Sequence, residues 1–359
     1  MQVMRMSIVV LAAAITFNGT SLAAGPGFQD PIAVPAQASA LAARSLLQDV
    51  ARVGQRLVAV GQRGHIVHSS DGGSTWQQSK VPVSSDLTAV FFVGERKGWA
   101  VGHDGVVLAT SDGGQNWTLQ LDGHRANELL VRQLEERAQA QPQAAELKTM
   151  LDDARRYKEQ GADKPFLDVW FADENNGWIV GAYNLIFRTA DGGQHWEPWF
   201  DRTDNPKLLN LHAVAQAGDG LYVVGESGLV LRLDAAAQRF VAQPTPYKGS
   251  YFGVVGTQST VVVYGLRGNA YARATGGSGW QKVEAGLPAS IVAATALADG
   301  RLLLADAGGR LAMGNAEGRD FKPVALKQPM PLAGVVDAGG GRLALVGPRG
   351  VAVTALPSN

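Results

Sequence analysis

The chain has 359 residues, with 32 Lys+Arg balanced by 32 Asp+Glu, 46% apolar residues, 18% charged residues and no cysteine. Without cysteine there are no disulfides, thiolate metal sites, thiol nucleophiles or cysteine-borne lipids. Without net charge, bulk electrostatic binding to nucleic acid is disfavoured. Glycine occupies 44 positions, well above a usual share of roughly 7%, which points to one large, turn-rich β architecture rather than the two or three domains that length alone suggests.

The first segment reads as an address. Arg5 precedes an apolar run over residues 8–17, then Asn18-Gly19-Thr20-Ser21 and Leu22-Ala23-Ala24. A charged start, a short greasy core and small residues at a cleavage point make residues 1–23 a removable secretory signal, with Ser21 and Ala23 at the −3 and −1 positions. About ten apolar residues cannot cross a ~30 Å hydrocarbon layer, and no second stretch is long enough. The expected mature chain, residues 24–359, is therefore exported and not membrane-spanning, and periplasmic in a cell with two membranes.

Three near-identical segments follow: Ser69-Ser-Asp-Gly-Gly-Ser-Thr-Trp76, Thr110-Ser-Asp-Gly-Gly-Gln-Asn-Trp117 and Thr189-Ala-Asp-Gly-Gly-Gln-His-Trp196. Gly61, Gly102 and Gly181 each stand 15 residues before the tryptophan. The same interval finds decayed copies at Gly225/Phe240, Gly265/Trp280 and Asp306/Phe321. A last copy begins at Gly347. Three residues after each marker stands Gly64, Gly105, Asn184, Gly228, Gly268, Gly309 or Gly350, the residue types that accept a left-handed backbone. The markers are spaced 41, 79, 44, 40, 41 and 41 residues apart. Short β-branched or apolar runs bounded by turns, four per repeat, predict the blades of a propeller. The fold expected is an all-β, seven-bladed β-propeller.

The seventh copy lacks a fourth strand. The phrase Phe28-Gln-Asp-Pro-Ile-Ala-Val-Pro35 resembles Trp76-Gln-Gln-Ser-Lys-Val-Pro82. Residues 28–34 are therefore expected to close the last blade, which would leave the ring without an open edge.

The 79-residue interval holds an insertion, residues 123–162, between the second and third blades. Leu130 and Leu134, then Leu147, Leu151, Ala154 and Tyr157, recur at helical spacing. Pro142 divides them and Gly161 ends them, so the expectation is a helical hairpin. Its narrow apolar stripe suits either packing on itself or gripping a partner. Mixed charge argues against a membrane-surface helix.

In the three boxes, Asp71, Asp112 and Asp191 are suited to accept amides of their own turns. The glycine pairs ending at Gly73, Gly114 and Gly193 supply positive φ, and Trp76, Trp117 and Trp196 return between sheets. Three catalytic carboxylates are the sharper alternative, but Asx turns account for these residues fully. No catalytic residue and no metal ligand is assigned. His65 and His68 are three apart in a strand and so point to opposite faces. No phosphate-binding glycine motif stands at a strand–helix junction, so no cofactor is expected.

The first three repeats resemble BNR/Asp-box repeats. With Gly98-Trp-Ala-Val-Gly102, Gly177-Trp-Ile-Val-Gly181 and the export signal, the chain resembles the photosystem II stability/assembly factor family. The likeness is strongest over residues 48–200, weaker over 201–355 and absent from the insertion. The resemblance implies a seven-bladed propeller without catalysis that helps assemble a membrane complex or, in non-photosynthetic bacteria, accompanies a transporter of the resistance-nodulation-division type. Asp boxes also occur in sialidases and other glycosidases, so a carbohydrate-active propeller is the alternative. The Arg-Ile-Pro phrase of sialidases is missing, and no local signature of two facing carboxylates is present.

Chain direction puts the second-to-third strand turns and the blade crossings on one face. The tips of those turns carry Arg63, His103, Asp104, Tyr183, Glu226, Arg267 and Arg349. They read either as solvated turn tips or as a polar rim for a protein partner, with Arg63 and Arg349 on neighbouring blades. The insertion is expected on the same face.

Overall fold

Each repeat folds into a small antiparallel sheet whose strands lie in chain order. The computed structural model describes residues 29–356. The described residues from Pro31 onward form one compact unit. The signal over residues 1–23 and Phe28 lie outside the described residues.

Sheet one contains β1 (Leu47–Val53), β2 (Arg56–Gly61), β3 (Ile66–Ser69) and β4 (Gln77–Gln78). Sheet two contains β5 (Leu87–Val93), β6 (Lys97–Gly102), β7 (Val107–Thr110) and β8 (Thr118–Leu121). Two helices follow, α1 (Gly123–Ala140) and α2 (Ala145–Gln160). Sheet three has β9 (Phe166–Phe171), β10 (Gly177–Gly181), β11 (Ile186–Thr189) and β12 (Glu197–Pro198). Sheet four has β13 (Leu211–Ala217), β14 (Gly220–Gly225), β15 (Val230–Asp234) and β16 (Arg239–Ala242). Sheet five has β17 (Tyr251–Gly256), β18 (Thr260–Gly265), β19 (Ala270–Ala274) and β20 (Gln281–Val283). Sheet six has β21 (Ile291–Ala296), β22 (Leu302–Asp306), β23 (Leu311–Gly314) and β24 (Lys322–Val324). The last has three strands, β25 (Gly334–Asp337), β26 (Arg342–Gly347) and β27 (Gly350–Ala355). The fold is all-β and propeller-like.

The second strand of each sheet is a continuous apolar run, not an alternating one. Val58-Ala-Val60, Val261-Val-Val263 and Leu302-Leu-Leu-Ala305 are fully buried. That is what a strand needs when both its faces are covered by neighbouring sheets. Apolar clusters accordingly lie between successive sheets rather than in one central core. A further cluster joins the last sheet to the first, with Ala344, Val346 and Val353 against Leu47, Leu57 and Val67. The marker glycines sit where the first strand crosses the second. A Cβ on Gly61 would stand 2.2 Å from the Leu46 carbonyl oxygen, and one on Gly102 would stand 2.1 Å from that of Asp86. In sheet six Asp306 takes this place, and its carboxylate accepts the Arg310 amide at 2.9 Å.

The expected closing strand is corrected. Pro31–Ala33 is a single tight turn, not a strand on β27. Proline alone is no bar, since β12 carries Pro198, but here the Pro31 carbonyl and the Ala36 amide are taken by the first repeat instead of by β27. The segment instead forms a strap along sheet one. The Ser84 amide donates to the Pro31 carbonyl at 2.8 Å and the Ala36 amide to the Val81 carbonyl at 3.1 Å. Gln78 Nε2 donates to the Gln37 carbonyl at 2.9 Å. The strap then passes the last sheet, where a Cβ on Gly350 would lie 2.1 Å from the Ala43 carbonyl oxygen.

The apolar stripe of the insertion is covered. Leu130, Leu134, Leu147, Leu151, Ala154 and Tyr157 are buried with Phe166, Phe187 and Phe200 of the third repeat. Asp122 caps α1 by accepting the Arg125 amide at 2.9 Å. Buried Asn127 ties the helices by donating to the Gly161 carbonyl at 2.8 Å. Only glycine fits at the first residue of α1, because a Cβ on Gly123 would lie 2.8 Å from the Asp104 carbonyl oxygen.

Candidate interaction face

The second-to-third strand turns are built from paired left-handed residues. Arg63, Asp104, Tyr183, Ser227 and Arg267 have φ of 55, 57, 52, 54 and 56°, each followed by a second positive φ at Gly64, Gly105, Asn184, Gly228 or Gly268. This is the mirror-image hairpin turn whose twist suits antiparallel strands. A side chain in the first position costs roughly 1 kcal/mol or more. Neighbouring repeats offset this by capping the strained amide. The Arg63 amide donates to Asp86 Oδ1 at 2.7 Å, the Tyr183 amide to Asn210 Oδ1 at 2.7 Å and the Arg267 amide to Ser290 Oγ at 3.1 Å.

The rim residues differ in what they have left to offer. Arg63, Arg267 and Arg349 are exposed, and their guanidinium groups form no ion pair among the described residues. His103 is exposed. Asp104 accepts Ser85 Oγ at 2.6 Å. Glu226 is a clamp, accepting both the amide and the side-chain nitrogen of Asn210 at 3.0 Å. Tyr183 is 52% exposed. Its ring lies 5.9 Å from Tyr157 of α2, and the buried Lys164 ammonium sits 4.5 Å from the Tyr157 ring and 5.8 Å from that of Tyr183. The insertion therefore shares a face with the turns and flanks one of them. Arg63 also lines a cavity of about 470 Å³ with Gln37, Ser39 and His65, beneath the strap.

The three boxes are fasteners in their geometry. Asp71 accepts Ser69 Oγ at 2.7 Å, the Thr75 amide at 2.9 Å and Thr75 Oγ1 at 2.6 Å. Asp112 accepts Thr110 Oγ1, the Gln115 amide and Asn116 Nδ2. Asp191 accepts Thr189 Oγ1, the His195 amide and His195 Nδ1. The Thr75 hydroxyl and amide hold Asp71 well below the ordinary carboxylate range. For Asp112, desolvation pushes upward, but the Asn116 side chain and amide outweigh it and hold the group at about 2. Gly73, Gly114 and Gly193 each donate their amide to the box hydroxyl at 2.8, 3.1 and 2.9 Å. Trp76 and Trp117 donate Nε1 to the carbonyls of Gly73 and Gly114. Trp196 Nε1 is buried without a partner among the described residues. Each carboxylate is occupied inside its own turn, in a different sheet.

Two carboxylates were missed in the sequence. The first strands of all seven sheets line a channel cavity of about 190 Å³ that holds Asp49, Asp168, His212 and Tyr264. Asp49 accepts the Val50 amide at 2.8 Å and the Val90 amide of the next sheet at 2.9 Å. Asp168 does the same with Val169 and Val214, both at 2.8 Å. Both are reached from the channel but surrounded by protein. Desolvation pushes Asp49 up to about 6 and Asp168 up to about 7, against the pull of those amides. The signal was present in the repeats: the other five sheets put Ala89, Ala213, Gly253, Ala293 and Gly334 at this position.

A family profile described as "Photosynthesis system II assembly factor YCF48" matches residues 33–140 and 148–284. The chain belongs to this family. The match runs from the strap through the fifth sheet and includes α1 and residues 148–160 of α2, which corrects the expectation that the likeness is absent from the insertion. A curated relative, "Photosystem II assembly lipoprotein Ycf48" of Synechococcus sp. (strain CC9902), is 27% identical over 125 residues, 32% of this chain and 35% of that protein. The protein of the same name from Prochlorococcus marinus is 54% identical over 35 residues, 10% of each chain. The matched segments thus span about a third of these relatives' length or less. Among solved structures, "YCF48 bound to D1 peptide" aligns with a TM-score of 0.63 at 14% identity, covering 88% of this chain and 95% of that one. "YCF48 from Cyanidioschyzon merolae" aligns at 0.63 and 16%, covering 90% and 99%. The WD40 propeller domain of Doa1 aligns at 0.60 and 8%, covering 89% and 94%. At such identities the likeness is one of fold. No helix among the described residues is long and apolar enough to cross a membrane.

Proposed function

We propose that this chain is an exported, non-catalytic assembly or accessory factor that holds a membrane protein complex or transporter through the face bearing the turn tips and the insertion. On this reading residues 1–23 are a signal and residues 24–359 are one seven-bladed propeller. The helices within 123–162 stand between the second and third blades. Family membership supports the role. One of the similar solved structures is of YCF48 bound to a D1 peptide, and the curated relatives are named lipoproteins, which fits export.

The observation that carries the reading is Tyr183. A large aromatic stands 52% exposed on a left-handed backbone, beside Tyr157 of the insertion and 5.8 Å from the Lys164 ammonium. Tyrosine and arginine are enriched where protein partners dock. Arg63, Arg267 and Arg349, with His103, form the polar rim around the same face. Asp104 and Glu226 serve chiefly to hold the turns. The three occupied box carboxylates give a glycosidase no pair of facing acids.

The test is recovery of membrane proteins on immobilised protein from the parent organism, with the Tyr183→Ala variant and with the Arg63→Ala/Arg267→Ala/Arg349→Ala variant. The expected outcome is loss of the captured partner in both, with unchanged melting. Turnover of chromogenic sialosides or glycosides would contradict the reading.

A further inference from the structure

Between α2 and the crossing from the third to the fourth sheet lies a cavity of about 560 Å³ with an unusual lining. Four carboxylates border it, Glu146 and Asp153 from α2 and Asp201 and Asp204 from the crossing, against one lining cation, Arg239. Met150 and Leu208 supply apolar wall. The residues come from three stretches far apart in sequence, so no motif announces them.

The decisive group is Asp201. Its side chain is 3% exposed. One oxygen pairs with Arg137 of α1, while Oδ1 has no hydrogen-bond partner among the described residues. A buried carboxylate left half-satisfied is costly, and a donor that reached it would recover that cost. The neighbouring acids are differently placed. Asp153 pairs with Arg156 at 2.5 Å, but that arginine side chain is 58% exposed and held at the surface. Glu146 is exposed in the first turn of α2 and makes no ion pair among the described residues. Asp204 is fully used, accepting Arg239 at 2.5 Å and the Ala242 amide at 3.1 Å.

The wall is rigid. Asn205 accepts the Leu209 amide at 3.1 Å and donates to the Leu209 carbonyl at 2.9 Å and to Asn184 Oδ1 at 3.0 Å. This lacing holds Leu208 at φ 50°, a strained setting for a branched side chain. The result is a preformed slot with an apolar side and an acidic end.

We propose that this slot binds an arginine side chain presented by a peptide, its guanidinium meeting Asp201 with Asp153 and Glu146, and its stem lying along Met150 and Leu208. Guanidinium suits it better than ammonium. It is weakly hydrated, keeps its charge when buried, and its planar fork of donors matches carboxylate oxygens. The cavity lies within the range of volume typical of ligand sites. It deepens the reading above, since α2 borders the same face, but the binding chemistry stands without it.

The experiment titrates the purified full-length protein at low salt with acetyl-Gly-Arg-Gly-amide, following amide shifts or heat. Parallel arms use the citrulline peptide, which keeps the shape without the charge, the lysine peptide and calcium chloride. Saturable binding of the arginine peptide is expected, weakened at least about tenfold, some 1.4 kcal/mol, in the Glu146→Gln/Asp153→Asn variant, whose sites are on the helix surface. Asp201→Asn should weaken it further, with melting recorded alongside. Met150→Lys, which supplies the slot with its own cation, should abolish binding. Equal binding of citrulline or lysine, saturation by calcium in place of the peptide, or arginine binding untouched by these variants would overturn the proposal. No saturable peptide binding to the wild-type protein, with its capture of the membrane partner intact, would sink the slot alone and leave the broader reading standing.

Discussion

Arg56 Nη1 donates to the carbonyl oxygen of Gly113, 2.7 Å away, across the gap between the first and second sheets. The same nitrogen reaches the Asp112 carbonyl at 3.2 Å. Arg342 of the last sheet repeats the contact, donating to the Gly72 carbonyl at 3.1 Å in the first box. In the third box the Gly192 carbonyl is taken by Trp99 Nε1 and Gln120 Nε2 of the sheet before it. Each box therefore locks two sheets, one through its own turn and one through its outward carbonyls. Arg56→Ala should cost about 1.5–3 kcal/mol, the range for hydrogen bonds to charged groups, with Arg56→Lys intermediate. Denaturant midpoints at unchanged slope measure it.

The channel acids give a pH signature of known sign. Asp49 and Asp168 are raised in the folded chain above the unfolded value of 3.8, to about 6 and about 7. Their favourable contribution is whole below about pH 4 and is lost as pH rises through 6 to 7. His65 and His68, lowered by desolvation first of all, act in the opposite sense. The comparison is therefore differential. The Asp49→Asn/Asp168→Asn variant should gain melting temperature on the wild type progressively between pH 4 and 8, by the equivalent of several kcal/mol, at about 1.4 kcal/mol for each tenfold change in proton affinity. A constant difference across that range would contradict the assignment.

Asp112 runs the other way. Held at about 2 in the folded chain, it contributes stability above pH 3.8 that is lost as pH falls toward 2. Asp112→Ala should lower the melting point at pH 7 and narrow the gap to wild type at pH 2. Thermal scans at the two pH values decide it.

The insertion is a structural part of the third repeat. Leu134 is fully buried against it, so Leu134→Ala should cost about 2–5 kcal/mol. Lys148→Ala, on the exposed side of α2, should stay within about 0.5 kcal/mol. Removing residues 123–162 would uncover Phe166 and Phe187, so a lost partner in such a deletion would not report on binding. Point substitutions on the outer face are the cleaner tool.

The strap can be probed from the last sheet. Gly350 has φ 88°, and a Cβ there would meet the Ala43 carbonyl at 2.1 Å. Gly340 has φ 61°, and a Cβ there would meet nothing within 4 Å among the described residues beyond its chain neighbours. Gly350→Ala should therefore destabilise well beyond Gly340→Ala, which carries only the backbone strain of roughly 1 kcal/mol. Equal losses would mean that the strap does not dock there.

Much of the fold was legible because a steric rule repeats. Gly61, Gly102, Gly181, Gly225, Gly265 and Gly347 all stand where backbone crosses backbone, so their spacing measured the sheets directly. The left-handed positions from Gly64 to Gly350 are all at positive φ for the same reason. The closing strand misled because its side-chain pattern matched a fourth strand, while its backbone hydrogen bonds go to Val81 and Ser84 of the first repeat. Asp49 and Asp168 were readable as acids in a row of Ala and Gly but carried no motif. The slot at Asp201 was not readable, since α2, the crossing and β16 meet only in the folded chain.

The most direct measurement places a photo-crosslinking p-benzoylphenylalanine at position 183, beside the insertion, and in a second protein at position 119, on the outermost strand of sheet two, where Leu119 is also exposed. Irradiation with membranes should join a defined membrane protein to the first protein and leave the second unlinked. Equal products from both positions, or products from position 119 alone, would contradict the account.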